Sequence, residues 1–457
     1  MKEIKQFDPG RRDHFTGMYG AVMAVAGSAV GLGNIWRFPY IAGVYGGGAV
    51  ILLYIVFVLL FGRPLMLAEM SLGRFGQGNP YTVFKRVGPN KVWRMLGSMC
   101  ILAPFIILAY YTAIGGWTIE YMVKSVQHVF VGQSSEEISR IFGDFVADPV
   151  RPLVWQAVFL ILSLLIVIHG VSKGIERYSR WMMPLLLLLL VVLCVRSVTL
   201  PGGVEGLKFL FIPDFDKINS ESLLAALGQV FFSLSLGMGA IMTYGSYMHK
   251  EENIFQATKY ITSADTFVSI LASVAIFPAV FAAHLDPQSG AGLVFETLPN
   301  VFQRMPAGQL FQFMFFFLLL MAAITSAMSL LEVLAAYIAE ELHVKRSIAL
   351  PFAGVMVMIL GVFASLSLGI MSDFKLLGRP VFDFLDYLSS NIILPLGGFF
   401  IALFFGFVLP KSVAMQELTS NGRYKVPDRL LFILIRYVAP AAVMIIFLNG
   451  IGLFDWF

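Results

Sequence analysis

The apolar residues of this chain fall in runs of roughly twenty, the length at which a helix crosses the hydrocarbon of a bilayer. Inside hydrocarbon every backbone N–H and C=O must be bonded internally, so such runs are restricted to helices. Composition agrees: 58% hydrophobic and 13% charged residues, where a soluble domain carries roughly a quarter charged, leave too little polar surface to cover a globule. The runs lie near 15–42, 44–73, 90–127, 152–171, 178–200, 222–249, 258–284, 308–340, 347–370, 381–409 and 429–455. They predict an all-α membrane protein of about eleven transmembrane helices, a single domain over 1–457.

Charge orients the spans. Roughly twenty of the 32 Lys and Arg fall in alternate loops, among them Arg11, Arg12, Lys85, Arg86, Lys173, Arg177, Lys345 and Arg346, an excess that marks the cytoplasmic side. The opposite loops are mixed or acidic, as at Glu136, Glu137, Asp144 and Asp148. The expectation is a multi-pass cell-membrane (inner-membrane) protein, N-terminus cytoplasmic and C-terminus extracellular. Met1–His14 is charged and lacks an apolar core with a cleavage site, so the first span itself is expected to direct insertion. Cys100 and Cys194 both sit in apolar runs and imply neither disulfide nor metal cluster. A net charge of +4 says nothing for nucleic acid, and no phosphate-binding loop or nucleophile motif suggests ATP hydrolysis or covalent catalysis.

Two spans are interrupted. The first carries Gly27-Ser28-Ala29-Val30-Gly31-Leu32-Gly33-Asn34 and the sixth Ser233-Leu234-Ser235-Leu236-Gly237-Met238-Gly239. From Met18, about a dozen residues at 1.5 Å each reach Gly31, roughly halfway through a 30 Å core. Paired glycine breaks in corresponding positions of two halves point to a midplane binding site in an inverted repeat. Here the halves are about 15–200 and 222–409, with an extra helix at about 429–455. Unwound peptide offers carbonyl oxygens to a cation and free N–H groups to a carboxylate side by side, a pairing that suits sodium and an amino acid. Ordinary kinks or close helix packing would also use glycine.

Gly27–Tyr40, read as GSAVGLGNIWRFPY, resembles the neurotransmitter:sodium symporter family, in its bacterial amino-acid branch. The likeness continues through Gly46-Gly47-Gly48, EMSLG at Glu69–Gly73, Pro104–Trp117, GQVFFSLSLGMG at Gly228–Gly239, AAITS at Ala322–Ser326 and Asp383–Tyr387, and so runs along the whole chain. The resemblance implies a 5+5 inverted repeat with helices 1 and 6 broken, and sodium-coupled import of hydrophobic L-amino acids by alternating access. One sodium site would use the Ala29 carbonyl, Asn34, Ser233, Asp265 and the substrate carboxylate. The other would use carbonyls of Gly27, Val30 and Ala322 with the hydroxyls of Thr325 and Ser326. The carboxylate would meet Leu32, Gly33 and Tyr111, and the ammonium Ala29, Phe232 and the Ser235 region. Ile107, Phe232, Met238, Ser326 and Leu330 would line the side-chain pocket. Relatives that carry monoamines place an Asp where Gly31 stands, so a substrate here should bring its own carboxylate.

The same resemblance assigns an outer gate to Arg37 and Asp386 and an inner latch to Arg12 and Glu340 assisted by Tyr247. Glu69 would support the unwound backbone. A Gly174–Pro184 segment in span five would unwind to hydrate the second sodium site. Asp265 stands where many relatives carry Asn, beside residues matching their chloride site, Tyr54, Gln229, Ser233 and Ser269; no chloride requirement is expected. The run of spans stops at eleven, which leaves dimerisation through a twelfth in doubt and oligomeric state open. A proton-coupled or exchange carrier of the same fold is the alternative; it would not need the paired oxygen ligands. A membrane receptor on a transporter scaffold would not need the Arg37–Asp386 pair.

Overall fold

The structure, a computed structural model, describes residues 13–285 and 294–453 and is helical nearly throughout. Eight helices cross a bilayer's thickness without interruption: Gly48–Gly76, Val92–Val126, Val171–Val198, Ile254–Ala282, Gly308–Glu341, Arg346–Leu366, Val381–Val408 and Asp428–Gly450. Three more segments complete the set. Met18–Ala29 and Gly33–Val44 form a pair bent by 53°, Arg151–Val167 is one short helix, and Ser220–Ser233 is separated from Ala240–Gly245. Numbered in chain order these are spans 1 to 11, and each coincides with a predicted apolar run. Among the described residues the sheet content is one two-stranded ribbon, Lys375–Leu376 against Arg379–Pro380.

Local chemistry explains the starts. Asn219 caps span 6 by accepting from the Ser222 N–H, and Ser222 Oγ accepts in return from the Asn219 N–H. Asn253 caps span 7 through the Gln256 N–H. Burial then sorts the helices. Span 8 is buried over 83% of its most apolar stretch, against 33% for spans 5 and 11. A helix apolar all round and enclosed on all sides is central; one buried over only a third of its apolar stretch faces lipid.

Sequence reading missed the short helices outside the spans, because they are too short or too polar to make an apolar run. Ser135–Ala147 begins with a capping box between Ser134 and Glu137 and meets span 4 at 76°. That bend is an arm joining a span, not a second kind of break. Arg74, wholly buried, donates to Glu417 at 2.9 Å and to the Glu252 carbonyl at 2.7 Å. It thereby ties span 2 to the helix Lys411–Leu418.

Candidate functional site

Span 1 comes apart where its glycines predict. Val30 is extended at φ −73° and ψ 101°, and the helix restarts as a wide π turn at Gly33–Arg37. The carbonyls released by the break find side chains instead. Ser28 O accepts from Ser235 Oγ at 3.2 Å and Ser326 Oγ at 3.3 Å, and Gly33 O, which also takes the Phe38 N–H, accepts from Gln229 Nε2 at 2.8 Å. The Gly31 N–H donates to Asn34 Oδ1 at 2.9 Å. In span 6, Ser235, Gly237 and Gly239 all have positive φ, at 54°, 79° and 74°. The Gly237 N–H is held by Glu69 Oε1 at 2.7 Å. Gly237 has a second reason to be glycine: a Cβ there would collide with the Leu394 carbonyl and stand 3.0 Å from the Gly398 nitrogen.

Between the two breaks lies a small cavity of about 30 Å³. Its walls bring together Ala29, Leu32, Gly33, Ile107, Tyr111, Phe232, Ser235, Met238, Ser326 and Leu330, the whole predicted substrate set. Ser28, Gly31, Ser233 and Ser329 join them. The cavity is small, and Phe232 and Ser326 are among the side chains that border it. The Tyr111 hydroxyl is buried without a hydrogen-bond partner and lies near the Leu32 amide and the Ser326 hydroxyl. An unpartnered hydroxyl beside a backbone amide and a second hydroxyl, itself spent on the Ser28 carbonyl, can serve a carboxylate once that weak bond yields. Gly31 is confined too: a Cβ would strike Ser326 Oγ and sit 3.3 Å from Tyr111 Oη.

Beside the cavity, Asn34 Nδ2 lies within 3.2 Å of four oxygens: Ser233 Oγ at 2.9, Asp265 Oδ1 at 2.7, Asp265 O at 3.2 and Ser269 Oγ at 2.8 Å. An amide nitrogen has two hydrogens, so this cage holds more acceptors than the amide can use. Asp265 itself is fully buried, and its carboxylate meets only neutral donors, Asn34, Ser233 and, at 2.7 Å, Tyr54. A buried carboxylate with hydrogen bonds and no counter-charge is costly unless a cation joins it. The donor set therefore fits a hard cation.

A second set of oxygens gathers where span 1 crosses span 8. Thr325 Oγ1 donates to Ala322 O at 2.9 Å, with Met321 O at 3.2 Å and Val30 O at 3.5 Å also in reach. A Cβ on Gly27 would lie 3.5 Å from Thr325 Cβ and from Ser179 Oγ. Thr325 thus makes the helical back-bond expected of any such residue, while standing against the unwound strand of span 1. This set contains no titratable group. Among the described residues no cluster of three or more His, Cys, Asp or Glu exists, so the sites here suit oxygen-seeking cations rather than zinc or copper.

The gates differ from expectation in detail. Arg37 and Asp386 form no ion pair in this structure: the Arg37 guanidinium lies over the Phe232 ring at 4.5 Å, and Asp386 Oδ1 accepts from Ser390 at 3.1 Å. A cavity of about 290 Å³ opens there, bounded by Arg37, Phe232, Ser390 and Asn391. On the opposite side Arg12 lies outside the described residues. Glu340 accepts from the Asn79 backbone at 3.0 Å and side chain at 2.7 Å, which caps the helix Pro80–Val87. Tyr247 donates to Glu332 Oε1 at 2.6 Å, and Arg346 grips the same carboxylate, its Nη1 at 2.9 Å. The Tyr247–Glu332–Arg346 knot was missed because its members are distant in sequence; Glu332 within an apolar run was the available signal. Gly174 and Pro184 lie in wound helix: a π turn covers Val171–Glu176 and an α-helix Arg177–Val198. The Thr16 N–H donates to Glu176 at 2.9 Å and Arg180 pairs with it at 2.5 Å, fastening this segment to the start of span 1.

Comparison with known proteins is consistent with this architecture. The description "Sodium:neurotransmitter symporter family" matches residues 12–138 and 148–455. An uncharacterized sodium-dependent transporter of Bacillus subtilis, YhdH, is 40% identical over 96% of this chain and 97% of its own length. The sodium-dependent serotonin transporter of Drosophila melanogaster is 28% identical over 70% of this chain and 58% of its own. Among solved structures, MhsT in complex with L-phenylalanine superposes with a TM-score of 0.88 at 41% identity, covering 96% of this chain and 100% of that one.

Proposed function

Since the chain belongs to the sodium:neurotransmitter symporter family, and is therefore a sodium-dependent membrane transporter rather than an enzyme, we propose that it imports hydrophobic L-amino acids by symport with two sodium ions. The observation that carries this reading is the pairing across the broken midplane of spans 1 and 6. A cage of oxygens around a buried carboxylate without counter-charge adjoins a pocket with an unpartnered Tyr111 hydroxyl. The cation and the zwitterion each satisfy what the other leaves open.

In this reading Ala29, Asn34, Ser233 and Asp265 hold one sodium together with the substrate carboxylate. Gly27, Val30, Ala322, Thr325 and Ser326 hold the other. Ile107, Phe232, Met238 and Leu330 surround the side chain, and the flexible thioether of Met238 adapts to several shapes. The amino acid bound to MhsT and the absence of a side chain at Gly31 support a substrate that carries its own carboxylate. Chloride has no place: the Tyr54 and Ser233 hydroxyls donate to Asp265, Ser269 to the Asp265 carbonyl, and Gln229 to Gly33.

The cycle follows from the gates. With the positively charged loops in the cytoplasm, the cavity beside Arg37 opens outward and the Tyr247–Glu332–Arg346 knot closes the inside. Substrate and sodium draw Arg37 toward Asp386 over Phe232. The inner knot then parts, and unwinding between Gly174 and Pro184 admits water to the second sodium. Each sodium contributes about 2.3 kcal/mol per 100 mV and about 1.4 kcal/mol per tenfold gradient, so two supply roughly 7 kcal/mol, about five decades of accumulation.

The test is uptake into proteoliposomes of a panel of labelled amino acids, with internal and external sodium replaced by potassium. Accumulation of Leu, Phe or Trp only under an inward sodium gradient, insensitive to chloride, is expected. Uptake driven equally by a pH gradient in potassium would refute sodium symport and favour the proton-coupled alternative.

A further inference from the structure

A groove on the lipid-facing side of spans 4, 5 and 8 has a composition that substrate transport does not explain. It has a volume of about 650 Å³. One wall is a stripe at four-residue spacing along span 5, Lys173, Arg177, Trp181 and Leu185, preceded by His169 in the turn before the helix, a spacing that sets side chains above one another on a helix. Its polarity falls steadily from cations through an indole to an aliphatic chain. The facing wall, Phe317, Leu320 and Ile324 of span 8, is wholly apolar. No acidic residue lines the groove.

The cations are available. No ion pair among the described residues includes Lys173 or Arg177, whereas Arg180, three positions on, is paired with Glu176. Trp181 is 77% exposed and Tyr178 43% exposed, a placement that in a membrane protein marks the level of the headgroups. From Lys173 to Leu185 the stripe rises about 18 Å at 1.5 Å per residue, close to one leaflet of a 30 Å hydrocarbon core. Charge at one end, an aromatic collar, then an apolar trough, together about one leaflet deep, match a single kind of molecule.

We propose that this groove is a binding site for an anionic phospholipid, its phosphate between Lys173 and Arg177 and an acyl chain along Leu185 and span 8. Free inorganic phosphate would leave the trough uncovered, and a zwitterionic lipid would place an ammonium among the cations. The site lies along the wound segment that contains Gly174.

Quenching of tryptophan by brominated lipid tests it. The full chain is reconstituted into phosphatidylcholine vesicles containing rising fractions of brominated phosphatidylglycerol or brominated phosphatidylcholine. The contribution of Trp181 is taken as the difference between the wild type and Trp181→Phe. Each basic residue near a membrane surface favours anionic lipid about fivefold, so half-quenching should need roughly 25-fold less brominated phosphatidylglycerol. Lys173→Gln or Arg177→Gln alone should reduce the preference to about fivefold, and the pair should abolish it. The charge-conserving pair Lys173→Arg with Arg177→Lys should retain it, which separates lost charge from misfolding. Equal quenching by the two brominated lipids in the wild type, or a preference that survives in the double Gln variant, would overturn the proposal.

Discussion

Asp265→Asn isolates the physical basis of sodium recognition, because it removes a charge while preserving shape. The Asp265 carboxylate is fully buried and accepts from Asn34 at 2.7 Å, Ser233 at 2.9 Å and Tyr54 at 2.7 Å. At a separation like the Asn34 contact, a monovalent cation and a full charge attract by about 6 kcal/mol at an effective dielectric of 20. Desolvation of both partners cancels part of this, and removing one member of a buried pair typically costs about 3–5 kcal/mol. A net loss of about 2–4 kcal/mol raises the sodium concentration for half-maximal uptake roughly 30- to 1,000-fold. The same substitution frees the Tyr54 and Ser233 hydroxyls from a carboxylate, leaving donors beside the cation site that can accept an anion. Uptake by the variant should therefore be partly restored by chloride, to which the wild type is indifferent. The assay is sodium-titrated uptake in proteoliposomes with chloride or gluconate as the anion. A half-saturation within threefold of the wild type, with no effect of chloride, would refute the argument that this carboxylate is the cation's counter-charge.

Thr325→Val keeps volume but deletes the hydroxyl that stands between Ala322 O and Val30 O; the sodium dependence of uptake should fall from cooperative to a Hill coefficient near one, and retained cooperativity would argue against a second site there. Tyr111→Phe removes a hydroxyl with no partner in this structure, so thermal stability should stay within about 0.5 kcal/mol, while KM rises roughly 10-fold or more for loss of a hydrogen bond to a charged group, about 1.5–3 kcal/mol; a destabilised protein with unchanged KM would contradict this. Glu332→Gln leaves Arg346 and Tyr247 without their shared carboxylate; the knot should open, seen as faster hydrogen exchange at 240–248 and 346–350, and unchanged protection would mean that the knot does not close that side.

Much of the fold was written in local features. The eleven apolar runs became spans because hydrocarbon leaves a chain no other way to bond its backbone; span 6 breaks where positive φ at Gly237 and Gly239 is accessible to glycine with little strain, and span 1 breaks at an extended Val30 among its glycines. The residues that the family resemblance places around a substrate line one cavity, contributed by spans 1, 3, 6 and 8. The inner knot was not legible in the sequence. Glu332 pairs with Arg346 and Tyr247, a meeting decided by which helix ends approach each other; Glu340 holds Asn79, and Arg12, the partner expected for it, lies outside the described residues. Two arginines inside apolar runs find partners that only the fold supplies: Arg63 donates to Thr262 at 3.0 Å, and Arg436 lies over Phe407 at 4.2 Å.

The sequence alone determined where chain must be helical and where it must come apart, because both follow from properties carried by single residues: apolar surface, backbone freedom, the lack of a side chain at Gly31. Tertiary structure alone decided which charges meet. Arg37 rests on an aromatic face instead of on Asp386, and Asp265 gathers Asn34, Ser233 and Tyr54 from three other spans. Such meetings depend on the register and crossing of whole helices, sums over many weak packing contacts that no single residue records.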